Sequence, residues 1–249
     1  MDRKIMVEAL KLENISIVLH RPKFPENIGS SARAMKNMGI KELLVVDPDD
    51  FDLTKIGKMA THASMDIVDN IKRFDTLNEA LADFSYVVGT TARIGRNRQV
   101  IHDPADLAQS LIPVSVNNRI AIVFGREDRG LESGEVQLCH SLLNIPTDGF
   151  SSLNLSQAVM VVCYELFKAK GYIGKDFLPT LATRFELEQM YFHLKDILLK
   201  IDFIQKDNPD YWLNNLRNFF SRLPLRAKEV RIIRGICRQI EWYGNRDKE

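Results

Sequence analysis

Two short apolar runs in the middle of the chain constrain its fold more than any other feature. Ile120-Ala-Ile-Val-Phe124 stops at Gly125, and the run through Leu143 and Ile145 stops at Pro146. Short, β-branched runs of this kind predict buried strands, and a glycine at the stop accepts backbone torsions that other residues resist. Gly125 and Gly130 then bracket an exposed acid, Glu127. Past the second run, Thr147-Asp-Gly149 forms a turn, and Ser151-Ser-Leu-Asn154 opens a helix. Serine and asparagine accept hydrogen bonds from the free N–H groups of a first helical turn, so a helix N-terminus is expected to face the same crevice. The two strand ends thus deliver Gly, Glu, Ser and Asn to one place. Ordinary turns use the same residue types, so local chemistry alone leaves both readings open.

The pattern repeats upstream. Strands are expected at 15–20, 42–48 and 85–93, with helices at 26–39, 53–63, 76–83, 103–111 and 153 to about 170. The segment 66–74 is compatible with either state. Strands separated by helices indicate an α/β fold built on a parallel sheet. Ligands of such sheets lie beyond the strands' carboxyl ends, where Thr90, Thr91, Gly125, Glu127, Ile145 and Ser152 fall. The first helix carries Asn27 near its start and Gly39 as its stop. Gly29, Ser30, Ala32 and Ala34 leave it slim enough for a backbone or a ligand to come close, and Arg33 is its one long cation in that stretch.

With 249 residues, 45% hydrophobic and 27% charged, the chain has the make-up of a globular protein, and its net charge of +1 decides little. Cys139, Cys163 and Cys237 are odd in number and far apart, which suggests neither a disulfide framework nor a zinc site. The start lacks the apolar stretch of a signal peptide and the run 158–167 is too short to span a bilayer, so a cytoplasmic protein with no membrane contact is expected. Arg93, Arg96 and Arg98 follow the third strand and would attract phosphate, unless they are merely a solvated loop. Beyond glycines and a proline at 171–179, apolar residues at helical spacing predict three amphipathic helices. Between Arg217 and Arg238 lie Arg222, Arg226, Lys228, Arg231 and Arg234 against only Glu229, a basic face suited to nucleic acid or to solvent. The expected organisation is a main domain at 1–170, a linker at 171–185 and a helical extension at 186–249.

Three segments together resemble a known family. Asn27-x-Gly29 with Ala32-Arg33-Ala34 and Asn37-x-Gly39, then Phe124-Gly-x-Glu127-x-x-Gly130-Leu131, then Ile145-Pro146 leading to Ser152-Leu-Asn-Leu-Ser-Gln-Ala158, look like the three motifs of the SpoU (TrmH-type) RNA 2′-O-ribose methyltransferases. The double serine, Gly89-Thr-Thr-Ala-Arg93 and the tail around Leu225 to Gly235 resemble most closely the TrmJ branch, which methylates the ribose of nucleotide 32 in the tRNA anticodon loop.

The resemblance implies a SPOUT fold with a deep C-terminal trefoil knot, a homodimer, tRNA as partner and S-adenosyl-L-methionine as cofactor, with no metal. The cofactor would be held by Thr90, Thr91, Ala92, Gly125, Ile145, Ser152, Leu153 and Asn154. Absence of a Gly-x-Gly-x-x-Gly fingerprint agrees with a site other than the dinucleotide type. Arg33 would act in catalysis, positioned by Asn27, with Glu127, Ser152 and Asn154 arranging the pocket. Arg93, Arg96, Arg98, Arg226, Arg231 and Arg234 would contact RNA. Remaining alternatives are methylation of ribosomal RNA or of another tRNA position, a non-catalytic RNA-binding protein on the same scaffold, and an enzyme for a small phosphorylated metabolite.

Overall fold

The computed structural model describes residues 9–91, 100–148, 153–171, 180–204 and 208–246. Within them seven strands form one sheet: β1 (Ile15–His20), β2 (Glu42–Val46), β3 (Lys72–Phe74), β4 (Tyr86–Thr90), β5 (Val100–Ile101), β6 (Ile120–Phe124) and β7 (Ser141–Leu143). Their order is β3-β2-β1-β6-β4-β7-β5 and every pairing is parallel.

All residues of β1 and β6 are buried, which is why both read as unbroken apolar runs. Side chains alternate between two cores. Ile17, Leu19, Leu43, Val45, Ile120, Ile122 and Phe124 enter one, and Val18, Leu44, Val46, Ala121 and Val123 the other. Helices α1 (Pro25–Met38), α2 (Leu53–Ala60), α3 (Met65–Asp69), α5 (Pro104–Ser115) and α7 (Leu155–Ala169) contribute to the first core, and α4 (Leu77–Leu81) to the second. The one-turn α6 (Ser133–Val136) follows β6.

Several expectations shift in detail. Pro25 opens α1, where its missing N–H has no intrahelical partner to lose, with Phe24 as the N-cap and Asn27 in the first turn. Gly39 stops the helix in a left-handed conformation, at φ 77°. Helix α5 continues past Leu111 and through Pro113, because burial of Ile112, Val114 and Ser115 outweighs the lost backbone bond. The open segment 66–74 divides into α3 and the edge strand β3.

Helices α8 (Arg184–Lys200), α9 (Pro209–Phe220) and α10 (Ala227–Arg246) surround a separate core of Ala182, Leu187, Met190, Tyr191, Leu213 and Val230. This bundle is fixed to the sheet unit: Leu181 N–H donates to Asn118 Oδ1 at 2.7 Å and Arg184 N–H to the Phe84 carbonyl at 2.8 Å. Among the described residues no helix is long and apolar enough to cross a membrane.

Candidate active site

The site lies where β1, β6, β4 and β7 end. Strand order puts β6 between β1 and β4, so the chain must leave these ends in different directions and a crevice opens between the loops. The loop after β6 folds back on itself: Gly130 N–H donates to the Arg126 carbonyl at 2.8 Å, with Gly130 at φ 70°. A Cβ on Gly125 would sit 2.3 Å from the Gly130 carbonyl carbon, so this turn closes only around a glycine.

The turn presents Glu127. Its Oε1 accepts from Asn27 Nδ2 at 2.7 Å, and its Oε2 accepts from the Lys23 N–H at 2.9 Å. Asn27 Oδ1 in turn accepts from Asn154 Nδ2 at 3.0 Å. Asn154 Oδ1 accepts from Ser156 N–H at 2.9 Å and Gln157 N–H at 3.4 Å, capping α7. Each amide has its orientation set by the next group: the carboxylate can only accept, so Asn27 must offer it the NH2 end and turn its oxygen to Asn154. Three distant segments, the start of α1, the loop after β6 and the start of α7, are locked into one relay.

Beside this relay is a cavity of about 310 Å³, lined by Thr90, Thr91, Gly125, Glu127, Ile145 and Leu153 together with Phe124, Leu143, Leu155 and Ala158. Thr90 Oγ1 donates to the Val123 carbonyl at 3.1 Å and Thr91 N–H to the Leu143 carbonyl at 2.8 Å, so the polar rim is tied to the strands on either side. Five of the eight residues expected around a cofactor therefore line one wall system, and Asn154 caps the helix that supplies another. Ser152 and Ala92 lie outside the described residues, as do Arg93, Arg96 and Arg98.

Sequence reading missed two contributors. Arg126, also in the cavity lining, bridges Asp49 at 2.8 Å and Asp128 at 2.9 Å, tying the loop after β6 to the one after β2. Asn144 Nδ2 donates to the Thr91 carbonyl at 3.0 Å. Asp128 is two residues from Arg126, but the contacts that join loops, Arg126 with Asp49 and Asn144 with Thr91, span 77 and 53 positions and leave no local signal. The slimness of α1 serves packing: a Cβ on Gly29 would meet the Ile56 carbonyl oxygen of α2 at 2.1 Å.

Arg33 is exposed on α1, makes no hydrogen bond or ion pair among the described residues and is not part of its own chain's cavity lining. Six residues past Asn27, it points about 240° around the helix from it. In the tail, Arg226 and Arg231 are exposed while Arg234 is half-buried. Arg217, counted with the basic face from sequence, is instead paired with Glu188 of α8 at 2.7 Å.

The chain matches the SpoU rRNA Methylase family model over residues 14–164 and the model of the TrmJ C-terminal domain over 185–249. It is 36% identical over 244 residues to the tRNA (cytidine/uridine/adenosine-2′-O-)-methyltransferase TrmJ of Pseudomonas aeruginosa, covering 92% of this chain and 95% of that protein. It is 37% identical to the tRNA (cytidine/uridine-2′-O-)-methyltransferase TrmJ of Salmonella typhimurium, covering 92% and 97%. Among solved structures, TrmJ from Z. mobilis ZM4 superposes with a TM-score of 0.78 at 33% identity, covering 91% of this chain and 98% of that one. The parallel sheet, the relay at its carboxyl ends and these matches along nearly the whole length lead to one assignment: the chain belongs to the SpoU methylase family and, within it, to the TrmJ proteins.

Proposed function

We propose that the chain is an S-adenosylmethionine-dependent tRNA 2′-O-ribose methyltransferase acting on the cytidine or uridine at position 32 of the anticodon loop. The observation that carries the reading is the Glu127–Asn27–Asn154 relay beside a cavity of about 310 Å³. The cavity suits an adenosine-bearing ligand: Ile145, Leu143, Leu153 and Leu155 provide apolar walls, and threonine and backbone groups provide a polar rim. Thr90, Thr91, Ala92, Gly125, Ile145, Ser152, Leu153 and Asn154 would hold it.

When bound, S-adenosylmethionine supplies an electrophilic methyl carbon on a positively charged sulfur. The chain's task is to bring a ribose 2′-hydroxyl in line with that carbon and to ease loss of the hydroxyl proton. Arg33 performs the second part electrostatically. A guanidinium stays protonated in proteins, so it binds the phosphate next to the target ribose and stabilises negative charge developing on the 2′-oxygen. The proton leaves to phosphate or water. Glu127, Asn27, Ser152 and Asn154 keep the pocket and α1 in register.

Arg33 is not among the residues that line its own chain's cavity, and the homodimer that the family resemblance implies would let a second copy bring Arg33 to the site. Exposed Phe24, Leu53, Met59, Tyr164 and Phe167 on the packed helices α1, α2 and α7, or beside them, give such a dimer an apolar surface to bury. A trefoil knot in its C-terminal part completes the main domain at 1–170, 171–185 is a linker, and 186–249 is an RNA-binding extension in a cytoplasmic enzyme. Arg93, Arg96, Arg98, Arg226, Arg231 and Arg234 supply phosphate contacts, which give affinity that falls steeply with salt.

The test is methyl transfer from labelled S-adenosylmethionine to unmodified tRNA and, separately, ribosomal RNA, followed by mass-spectrometric mapping. Ribose methylation at position 32 supports the proposal. Methylation confined to ribosomal RNA or another position replaces the target, and cofactor binding without transfer to any RNA rejects the enzyme. The name of the Pseudomonas relative adds adenosine to cytidine and uridine, so tRNAs carrying each base at position 32 belong in the assay.

A further inference from the structure

Of the buried side-chain nitrogens and oxygens left without a hydrogen-bond partner among the described residues, four fall in the helical tail: Arg184 Nε, the Tyr191 hydroxyl, Arg217 Nε and Arg234 Nε. Buried polar groups are ordinarily paired, so four orphans in one small bundle ask for an acceptor.

The helix register gathers them. Arg184, Glu188 and Tyr191 share one face of α8, at spacings of four and three. Helix α9 runs antiparallel beside it, since Lys195 pairs with Asp210 while Glu188 pairs with Arg217. Helix α10 runs parallel to α8, with Ala182 bonded to Leu225 near one end and Lys200 paired with Glu241 near the other. Arg234 falls between those ends, on the face that buries Val230 and Cys237.

Glu188 is the carboxylate bridging this group: one oxygen accepts from Arg184 Nη2 at 2.6 Å and the other from Arg217 Nη2 at 2.7 Å. Arg234 makes no ion pair among the described residues. Two guanidiniums therefore flank one carboxylate whose oxygens are already engaged, and helix register brings a third, Arg234 of α10, to the level of Tyr191, which leaves spare donors and an excess of positive charge in this part of the bundle. The Arg184 side chain is 2% exposed, whereas Arg217 and Glu188 are 22% and 19% exposed, so the cluster opens on the α9 side. Burial pushes the Tyr191 phenol's pKa up against the lowering effect of the Arg184 guanidinium beside it, so the hydroxyl keeps the proton that it can donate. A compact dianion with several acceptor oxygens matches this inventory better than water does, because water brings acceptors but no charge.

We propose that the tail binds a single phosphate group at this cluster, with Arg217 and Arg234 at its mouth and Tyr191 and Arg184 behind them. The group is either a backbone phosphate of bound RNA or free inorganic phosphate. Only the RNA arm rests on the reading of the chain as a tRNA-binding enzyme.

The test titrates the full chain with inorganic phosphate against sodium chloride at matched ionic strength, by calorimetry and by thermal midpoint. Saturable, phosphate-specific binding is expected. Arg234→Gln should weaken it by about tenfold and Tyr191→Phe by about threefold, while exposed Lys228→Gln leaves it unchanged. Tyr191→Phe keeps the buried ring, so its effect is readable even if an arginine variant folds poorly. No stabilisation beyond chloride, or wild-type phosphate affinity in both Tyr191→Phe and Arg234→Gln, overturns the proposal. Displacement of phosphate by tRNA, with weaker tRNA binding by Tyr191→Phe, identifies the RNA backbone as the source, and unaffected phosphate binding identifies the free anion. Wild-type methyl transfer is measured separately: its absence would reject the enzyme reading and leave the phosphate isotherm standing.

Discussion

Glu127 accepts a hydrogen bond at each carboxylate oxygen, one from a side-chain amide of α1 and one from the backbone of Lys23. Replacing it with glutamine leaves one acceptor for two donors and sets an NH2 against an N–H. An unpaired, partly buried polar group costs about 1–3 kcal/mol, so Glu127→Gln should slow methyl transfer by about ten- to hundredfold. Steady-state assays, with circular dichroism to establish folding, check this, and unchanged turnover would remove the relay from the mechanism. Arg33→Ala differs in kind: transfer should vanish while calorimetric binding of S-adenosylmethionine survives, because the side chain is outside its own cavity lining. Residue types at the site were legible because turns demand them: Gly125 and Gly130 bracketing Glu127 could be read from torsional need alone. The pairing of Asn27 with Asn154 could not, since those residues are 127 apart and no local rule brings them together. Arg126 and Asn144 escaped notice for the same reason.

Among elements, β1 and β6 were legible because burial on both faces forces a continuous apolar run. Strands β3 and β5 were not: Lys72-Arg-Phe74 is an exposed edge and Val100–Ile101 has only two residues, so neither carries a pattern. The sheet's opposite end has its own fastener. Glu42, at the start of β2, accepts from Lys72 at 2.6 Å, from Arg119 at 2.6 Å and from Ser16, joining β3, the approach to β6 and β1. Burial works to raise its pKa, but the hydrogen bonds from Lys72, Ser16 and Arg119 outweigh burial and hold it at about 2, against an ordinary 4.5. A carboxylate depressed in the folded state contributes stability that is complete above the unfolded value and is lost as pH falls towards the folded one. Glu42→Gln should therefore lose about 1–2 kcal/mol at pH 7, a figure kept low because Lys72 and Arg119 are well exposed. The deficit should shrink between pH 4.5 and about 2, as the wild-type carboxylate becomes protonated. Urea midpoints of both proteins across that range decide the matter, and a constant gap would mean that Glu42 is not the titrating group.

At the scale of the whole molecule, the strand order is a property of the complete chain that periodicity does not carry, and the trefoil knot is an expectation drawn from the family resemblance alone. The same scale governs catalysis. One chain holds the cavity, the relay and an arginine that does not line that cavity, so two inactive variants should repair each other. In a dimer of Arg33→Ala with Glu127→Ala, one site combines an intact pocket with an intact arginine from the other chain, and the second site lacks both. Random re-pairing of equal amounts gives half mixed dimers, each with one working site of two, so activity should recover to about a quarter of wild type. Mixing after mild dissociation, with each variant alone as the control, makes the measurement. Recovery near that fraction requires Arg33 to act across the interface. No recovery, with exchange verified by mass spectrometry, would mean that each chain uses its own arginine and that α1 must turn when RNA binds.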